Sequence, residues 1–357
     1  MNAQKVALNK IIAILLLTIS TTLFAQSGEL PNIVILATGG TIAGSAETNL
    51  QAGYSSGEVG VEILINAVPE LKNIANVTGE QISNIGSQDM NDDVWLKLAK
   101  RINVLVKSDD VDGIVITHGT DTMEETAYFL NLVVKSKKPI VLTGSMRPST
   151  ALSADGSLNI YNAIAVAGDK NAWERGVLVV GNDKILSGRA IIKTSATDVE
   201  TFKSPGFGWI GSVHYGVSRF YREPFKLHTY KSEFSVDNVD KLPKVNIIYM
   251  HASADGELID CAVENGAEGI VIAGVGNGNM TASTVKSLAE AVKKGVVCVR
   301  SSRVPTGYIG RNIELNDDEL GFIASYQLNP QKARVLLEVA LLKTKDPIVI
   351  QEYFAKY

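Results

Sequence analysis

Two threonines sit where backbone amides can converge on a developing negative charge. Thr41 lies in Ala37-Thr38-Gly39-Gly40-Thr41-Ile42-Ala43-Gly44, and Thr120 in Ile116-Thr117-His118-Gly119-Thr120-Asp121-Thr122, each in a glycine-flanked turn after an apolar run. A hydroxyl so placed is a nucleophile in want of a base, and the amides around it are suited to an oxyanion, so the pattern points to acyl transfer. A strand ending in a Gly-rich turn is also ordinary α/β punctuation; the repetition of hydroxyl and turn in one chain carries the reading. The first turn lacks the G-x-G-x-x-G spacing and has no lysine for a phosphate, which disfavours a nucleotide site.

The segments that must position these turns alternate between two patterns. Asn32-Ile33-Val34-Ile35-Leu36, Gly113-Ile114-Val115-Ile116, Pro139-Ile140-Val141-Leu142 and Gly176-Val177-Leu178-Val179-Val180 are continuously apolar, as strands of a parallel sheet covered on both faces are. Between them, Val94 to Val106 and Met123 to Val134 repeat with helical period. Residues 221–243 are richer in charge and aromatics, and the rhythm restarts at Val245-Asn246-Ile247-Ile248-Tyr249, followed by Gly269 to Gly274 and Val296 to Val299. Thr281 to Lys294 reads as a helix, and Asn329-Pro330 as the capped start of another.

The implied architecture is α/β, a larger N-terminal doubly wound and mainly parallel sheet domain with a smaller C-terminal α/β domain. The expected boundaries are a signal peptide at 1–25, domains at 30–220 and 244–357, and a linker at 221–243.

Lys5 and Lys10 precede the apolar run Ile11 to Leu17, which continues weakly to Ala25, as in a signal peptide cut near Ala25. No cysteine follows closely, which argues against a lipid anchor, and no later run is long enough to span a bilayer, so a soluble exported protein is expected. Loss of Lys5 and Lys10 takes the formal net charge from −4 to −6, which offers no basic surface to nucleic acid. Cys261 and Cys298 have no CxxC spacing and no histidine cluster nearby, so neither metal nor redox chemistry is indicated. Two buried thiols is the favoured reading, with a disulfide as the alternative in an oxidising compartment.

The turns belong to a longer series. Gly86-Ser87-Gln88-Asp89-Met90, Met123-Glu124-Glu125-Thr126, Met146-Arg147-Pro148, Gly276-Asn277-Gly278-Asn279, Arg300-Ser301-Ser302-Arg303-Val304 and Asn329-Pro330-Gln331-Lys332-Ala333-Arg334 follow in order. Together with the threonine turns they resemble the exported, type II bacterial L-asparaginases from about Leu30 to Tyr357. The resemblance implies that Thr41 is the first nucleophile, assisted by Tyr54 on a mobile loop, and that Thr120, Asp121 and Lys193 form a second, buried triad. It implies that Ser87, Gln88 and Asp121 hold the α-carboxylate and α-amino ends of the substrate, and that the backbone of Ser145 meets its side-chain amide. Asn279 and Glu314 would reach a neighbouring subunit's site, in a homotetramer built as a dimer of intimate dimers.

The residue types fit that chemistry. A lysine can serve a threonine hydroxyl when desolvation or a cationic setting lowers its proton affinity, and Asp121 can orient it and meet a substrate ammonium. No metal and no cofactor is required. Without the resemblance, Lys193 would read as a solvated lysine, Tyr54 as a surface tyrosine in a Gly/Ser loop, and Glu314 as part of the acidic surface loop with Asn316, Asp317 and Asp318. His118 suggests a Thr-His-Asp triad, but its place at the strand end suits a structural hydrogen bond.

The chain departs from the family's pattern in two places. No cysteine stands near Lys107-Ser108 or Lys135-Ser136-Lys137, where enteric members carry a disulfide, and Ser145 replaces a common alanine. The implied reaction is hydrolysis of L-asparagine to L-aspartate and ammonia through a threonine acyl-enzyme, with L-glutamine as a minor substrate. The alternatives are a glutaminase-asparaginase with comparable activity on both and an exported amino-acid binding protein. The expected location is the periplasm, with secretion as the alternative.

Overall fold

The computed structural model describes residues 29–44 and 60–357. The expected signal peptide and Tyr54 lie outside the described residues.

The larger sheet is built from β1 (Asn32–Gly39), β2 (Asn76–Ile85), β3 (Gly113–Thr117), β4 (Ile140–Thr143), β5 (Val177–Gly181) and β6 (Lys184–Ser187). After a separate ribbon of β7 (Ile192–Lys193) and β8 (Phe202–Lys203), it is completed by β9 (Gly211–His214) and β10 (Val217–Phe220). Its order is β10-β9-β6-β5-β4-β3-β1-β2. The pairs from β2 to β5 are parallel, and β6, β9 and β10 add antiparallel edges. The smaller sheet is parallel, β11 (Val245–Tyr249), β12 (Gly269–Gly274), β13 (Val297–Ser302) and β14 (Phe322–Ala324) in sequence order.

Strand side chains alternate between faces, so each apolar run feeds two cores. Ile33, Ile35, Val115, Val141 and Leu178 pack with Val61 of α1 (Val61–Asn66) and with Ile160 and Ile164 of α4 (Gly156–Ala167). Their neighbours Val34, Leu36, Ile114, Leu142 and Val179 face the opposite way. They join α2 (Asp92–Leu105), α3 (Met123–Val133), α8 (Pro330–Leu341) and α9 (Pro347–Lys356). That second core also takes Val271, Val299 and Ile323 from the smaller sheet. Helix α3 lies on β5 and against α8, and α8 lies on β11 and β12, so helices from both halves fill the space between the sheets. Burying one large aliphatic side chain there stabilises the fold by about 1.5–3 kcal/mol. The smaller sheet's other face packs on α5 (Glu257–Glu264) and α6 (Ala282–Lys293) through Ile259, Ile272 and Leu288, and the short α7 (Asp317–Leu320) leads into β14.

Local chemistry sets the helix ends. Asn91 Oδ1 accepts from Val94 N–H and starts α2 two residues earlier than periodicity alone suggests. Thr281 caps α6 at Thr284 N–H, and Asn329 caps α8 at Lys332 N–H with Pro330 in the first turn. Residues 221–243 hold one 3-10 turn, Thr229–Lys231, and bury Phe234, Val236 and Leu242 in the core between the sheets.

The expectation of two buried thiols fails at Cys261. Both cysteines are free and Cys298 is buried on β13, but Cys261 is exposed. Ile259 is the buried residue of α5, and a position two residues on points away from the face it buries.

Candidate active site

β1 runs out to β2 on one side and the chain returns to β3 on the other, which makes the carboxyl end of β1 and β3 a topological switch point. Ala37 pairs with Thr117 across this boundary, so the two threonine turns leave the sheet side by side. Gly39 and Gly40 take φ of 106° and 84°, a backbone that glycine adopts without strain. A Cβ on Gly40 would come within 2.3 Å of Gly119 N, and one on Gly39 within 2.4 Å of Ile85 O. Glycine is therefore required for contact as well as for conformation. Thr41 opens a 3-10 turn, Thr41–Ala43, and is buried, as is Thr120.

Ser87 ties the β2 turn to the β3 turn. Its Oγ accepts from Asp121 N–H at 3.2 Å, and its carbonyl accepts from Thr122 Oγ1 at 2.7 Å. Gln88 is exposed beside it. Ser145 follows β4 one turn further along the sheet; it is buried, and its hydroxyl donates to Arg147 O at 2.8 Å. Among the described residues the N–H groups of Gly119 and Thr120 meet no acceptor.

Lys193 on β7 reaches this end of the sheet. Its Nζ donates to Thr120 Oγ1 at 2.9 Å and to Asp121 Oδ1 at 2.6 Å. The lysine side chain is 16% exposed and that of Asp121 57%, so the lysine is withdrawn while the carboxylate faces outward. Thr120, Asp121 and Lys193 are thus brought together, next to the turn of Thr41.

Three residues outside the expected site hold Lys193 in place. Buried Glu124 accepts from Lys193 N–H at 2.9 Å and from Asn329 Nδ2 at 2.7 Å. The buried Lys332 ammonium lies 4.0 Å from Glu124 and donates to Ile191 O. Burial lowers the lysine's proton affinity and the nearby Glu124 opposes that fall. One signal was available, since acidic and basic residues inside otherwise apolar helices need partners.

His118 is fully buried and is no base for Thr120. Its Nδ1 lies 2.7 Å from Gly119 O, a pure acceptor, so Nδ1 carries the proton. Nε2 then accepts from Thr126 Oγ1 at 2.8 Å, and that oxygen accepts from Trp95 Nε1 at 2.8 Å. Burial drives the imidazole pKa down to about 4, which keeps the ring neutral.

Asn279 and Glu314 stand on the smaller sheet's loops. Asn279 exchanges backbone hydrogen bonds with Val275 at 2.8 and 2.9 Å, and Glu314 is exposed. Among the described residues no hydrogen bond or ion pair joins either to Thr41, Thr120, Ser87 or Lys193. A fully buried Arg300 supports both loops. It pairs with Asp317 Oδ1 and Oδ2 at 2.5 and 2.7 Å and donates to Asn277 O at 3.0 Å and Gly310 O at 3.1 Å. An arginine following Val297-Cys298-Val299 on a buried strand was the sequence signal for this anchor.

A hydroxyl with a withdrawn ammonium, a second hydroxyl in the adjacent turn and an outward carboxylate suit amide hydrolysis. Residues 32–226 match the family description "Asparaginase, N-terminal", and residues 244–354 match "Glutaminase/Asparaginase C-terminal domain". The chain belongs to the asparaginase family. A Haemophilus influenzae protein named "Probable L-asparaginase periplasmic" is 56% identical over 333 residues, 93% of this chain and 95% of that one. A "Glutaminase-asparaginase" of Pseudomonas fluorescens biotype A is 50% identical over 331 residues, 92% and 91% of the two chains. The crystal structure of a "Probable Cytoplasmic L-asparaginase" from Campylobacter jejuni superposes with a TM-score of 0.89 at 49% identity. It covers 92% of this asparaginase and 100% of that chain. Among the described residues no group of histidine, cysteine or carboxylate side chains could hold a metal ion, and no helix is long and apolar enough to cross a membrane.

Proposed function

We propose that the protein hydrolyses L-asparagine to L-aspartate and ammonia through an acyl-enzyme on Thr41. The reading rests on the contact of Lys193 Nζ with both Thr120 Oγ1 and Asp121 Oδ1, at 2.9 and 2.6 Å, beside the turn that bears Thr41. The substrate's α-carboxylate lies at Ser87 and Gln88, and its ammonium at the second oxygen of Asp121. Thr41 Oγ bonds to the side-chain amide carbon while amide N–H groups of the turns hold the oxyanion, each worth about 3 kcal/mol. The C–N bond then breaks and ammonia leaves, taking the threonine proton. Water enters on the same route, aided by Thr120 and Lys193, and releases aspartate. Tyr54 closes the site, and the backbone of Ser145 fixes the amide.

Ammonia release from purified protein and L-asparagine tests the reading, since a binding protein would take up the amino acid unchanged. Thr41→Ala should fold and assemble yet lose turnover by about a thousandfold or more. Near-parental activity in that variant sinks the assignment. The relative named as a glutaminase-asparaginase keeps comparable turnover of L-glutamine as a second reading, because one methylene is worth only about 1–3 kcal/mol of discrimination. The ratio of kcat/KM for the two amides decides between them.

The same proposal places domains at 30–220 and 244–357, a signal peptide at 1–25 and the mature enzyme in the periplasm. The mass of the exported protein tests the cleavage. It also makes the enzyme a homotetramer in which Asn279 and Glu314 complete a neighbour's site. If so, mixing inactive Thr41→Ala and inactive Glu314→Ala subunits restores activity in some sites. Confirmed mixed oligomers that stay inactive would exclude a shared site.

A further inference from the structure

Two side chains of the α4 segment fix the peptide planes on either side of Ser145. Asn159 Nδ2 donates to Gly144 O at 2.9 Å, and Asp155 accepts from Met146 N–H and Arg147 N–H, at 3.0 Å on each of its oxygens. The peptide that carries Met146 N–H also carries the Ser145 carbonyl, and in a trans peptide the two point in opposite directions. Holding that N–H therefore turns Ser145 O away from Asp155. Among the described residues no donor meets this oxygen.

The two side chains are themselves held. Asn159 is 5% exposed on a helix whose residues Ile160, Ala163 and Ile164 fill the core. A buried amide there is costly unless it is fully bonded. Its second Nδ2 hydrogen goes to Asp155 Oδ2 at 3.2 Å, and its Oδ1 accepts from Asn182 N–H, in the β5–β6 turn, at 3.0 Å. The segment they fix lies against both threonine turns. A Cβ on Gly144 would come within 2.4 Å of His118 O, and Ser149 donates to Gly44 O from its N–H at 3.3 Å and its Oγ at 3.0 Å.

We propose that Asp155 and Asn159 are positioning residues that make the site select a carboxamide, by aiming the Ser145 carbonyl at an N–H of the substrate's side-chain amide. Their role rests on the proposed hydrolysis of L-asparagine and on the contact with Ser145 within it. An ester of the same acid has no N–H to offer, and its alkoxy oxygen would face the lone pairs of that carbonyl. Amide and ester are therefore discriminated by two residues that touch neither.

Steady-state kinetics on L-asparagine and on the β-methyl ester of L-aspartate test the proposal. Both place the same β-aspartyl group on Thr41; the C–N or C–O bond breaks, and ammonia or methanol leaves with the threonine proton. Only the leaving group differs. Asp155→Asn keeps one acceptor oxygen for the two N–H groups, and Asp155→Ala keeps none. The ratio of kcat/KM for amide over ester should fall by about threefold in Asp155→Asn, and by about tenfold or more in Asp155→Ala and Asn159→Leu, through loss on the amide. Thermal melts establish that each variant is folded, and Asp155→Asn, the smallest change in shape, serves if the other two are not. A residue that only supported the fold would lower both substrates alike. Equal losses on amide and ester, or an unchanged ratio in the folded Asp155 variants, would overturn the proposal while the parent's release of ammonia from L-asparagine still stood. A parent that releases none would remove both readings.

Discussion

Gly40 and Gly119 meet backbone to backbone at the switch point of the larger sheet, so that a Cβ on Gly40 would lie 2.3 Å from Gly119 N and 2.4 Å from Gly119 Cα. The two threonine turns therefore form one rigid unit. Gly119→Ala would press on the Ser87 side chain, with 2.5 Å to Oγ, and displace the hydroxyl that we propose meets the substrate's α-carboxylate. We expect that variant to fold with a lower Tm and to lose kcat/KM by about a hundredfold, equivalent to about 2.7 kcal/mol. Gly40→Ala adds a strained φ of 84° to a clash with backbone and should fail to accumulate as folded protein. Expression, thermal melts and steady-state kinetics check both, and a parental kcat/KM in Gly119→Ala would contradict the packing argument.

The hydrogen bond from Lys193 to Thr120 predicts shared rather than separate effects. Thr120→Val and Lys193→Met should each lower kcat severely, and the double variant should be little worse than either alone. Single-turnover rates on all four proteins give the coupling directly. Fully additive losses would mean that the two groups act independently.

Asp317 neutralises an arginine that has no access to water. In Asp317→Asn the charge of Arg300 stays buried without its partner, at a cost of about 3–5 kcal/mol. Urea denaturation reads the loss. Replacing both residues by apolar ones should recover much of the stability, yet still release the loops bearing Asn279 and Glu314. An unaltered midpoint in Asp317→Asn would mean that the pair contributes little.

Two histidines set a dependence of stability on pH. Burial lowers the pKa values of His118 and His228 to about 4, from 6.5 for a free side chain. Between these limits the unfolded chain takes up protons that the folded chain refuses. Stability is therefore complete above about pH 6.5 and falls toward pH 4, by about 1.4 kcal/mol per pH unit for each histidine. Buried Glu125 and Glu338, whose proton affinities are raised by burial, work in the opposite sense. The difference between the parent and His118→Gln isolates one histidine. Unfolding free energies at pH 7 and 4.5 should show a slope shallower by about one proton in the variant, and equal slopes would refute the assignment.

The central strands could be read from the sequence because each is an unbroken apolar run, and the threonine turns because glycine and hydroxyl follow those runs directly. The antiparallel edge was not legible: β6, β9 and β10 are four residues each and carry Lys184, Ser212, His214 and Arg219 among their apolar positions. Partnership over distance was not legible either. Glu124 and Asn329 each stood in a recognised motif, but nothing local tells that they meet across 205 residues of chain. Cys261 was misjudged because apolar neighbours in sequence are not neighbours in space on a helix.

Helix α8, which closes over Glu124 and brings Asn329 and Lys332 to the strand of Lys193, belongs to the last part of the chain. The threonine turns are among the first parts to leave the ribosome. For almost the whole of synthesis, then, Thr41 and Thr120 exist without the clamp that fixes their lysine. An interrupted chain is not a smaller enzyme but an unassembled one, and catalytic competence arrives late, together with the closing of the core between the sheets.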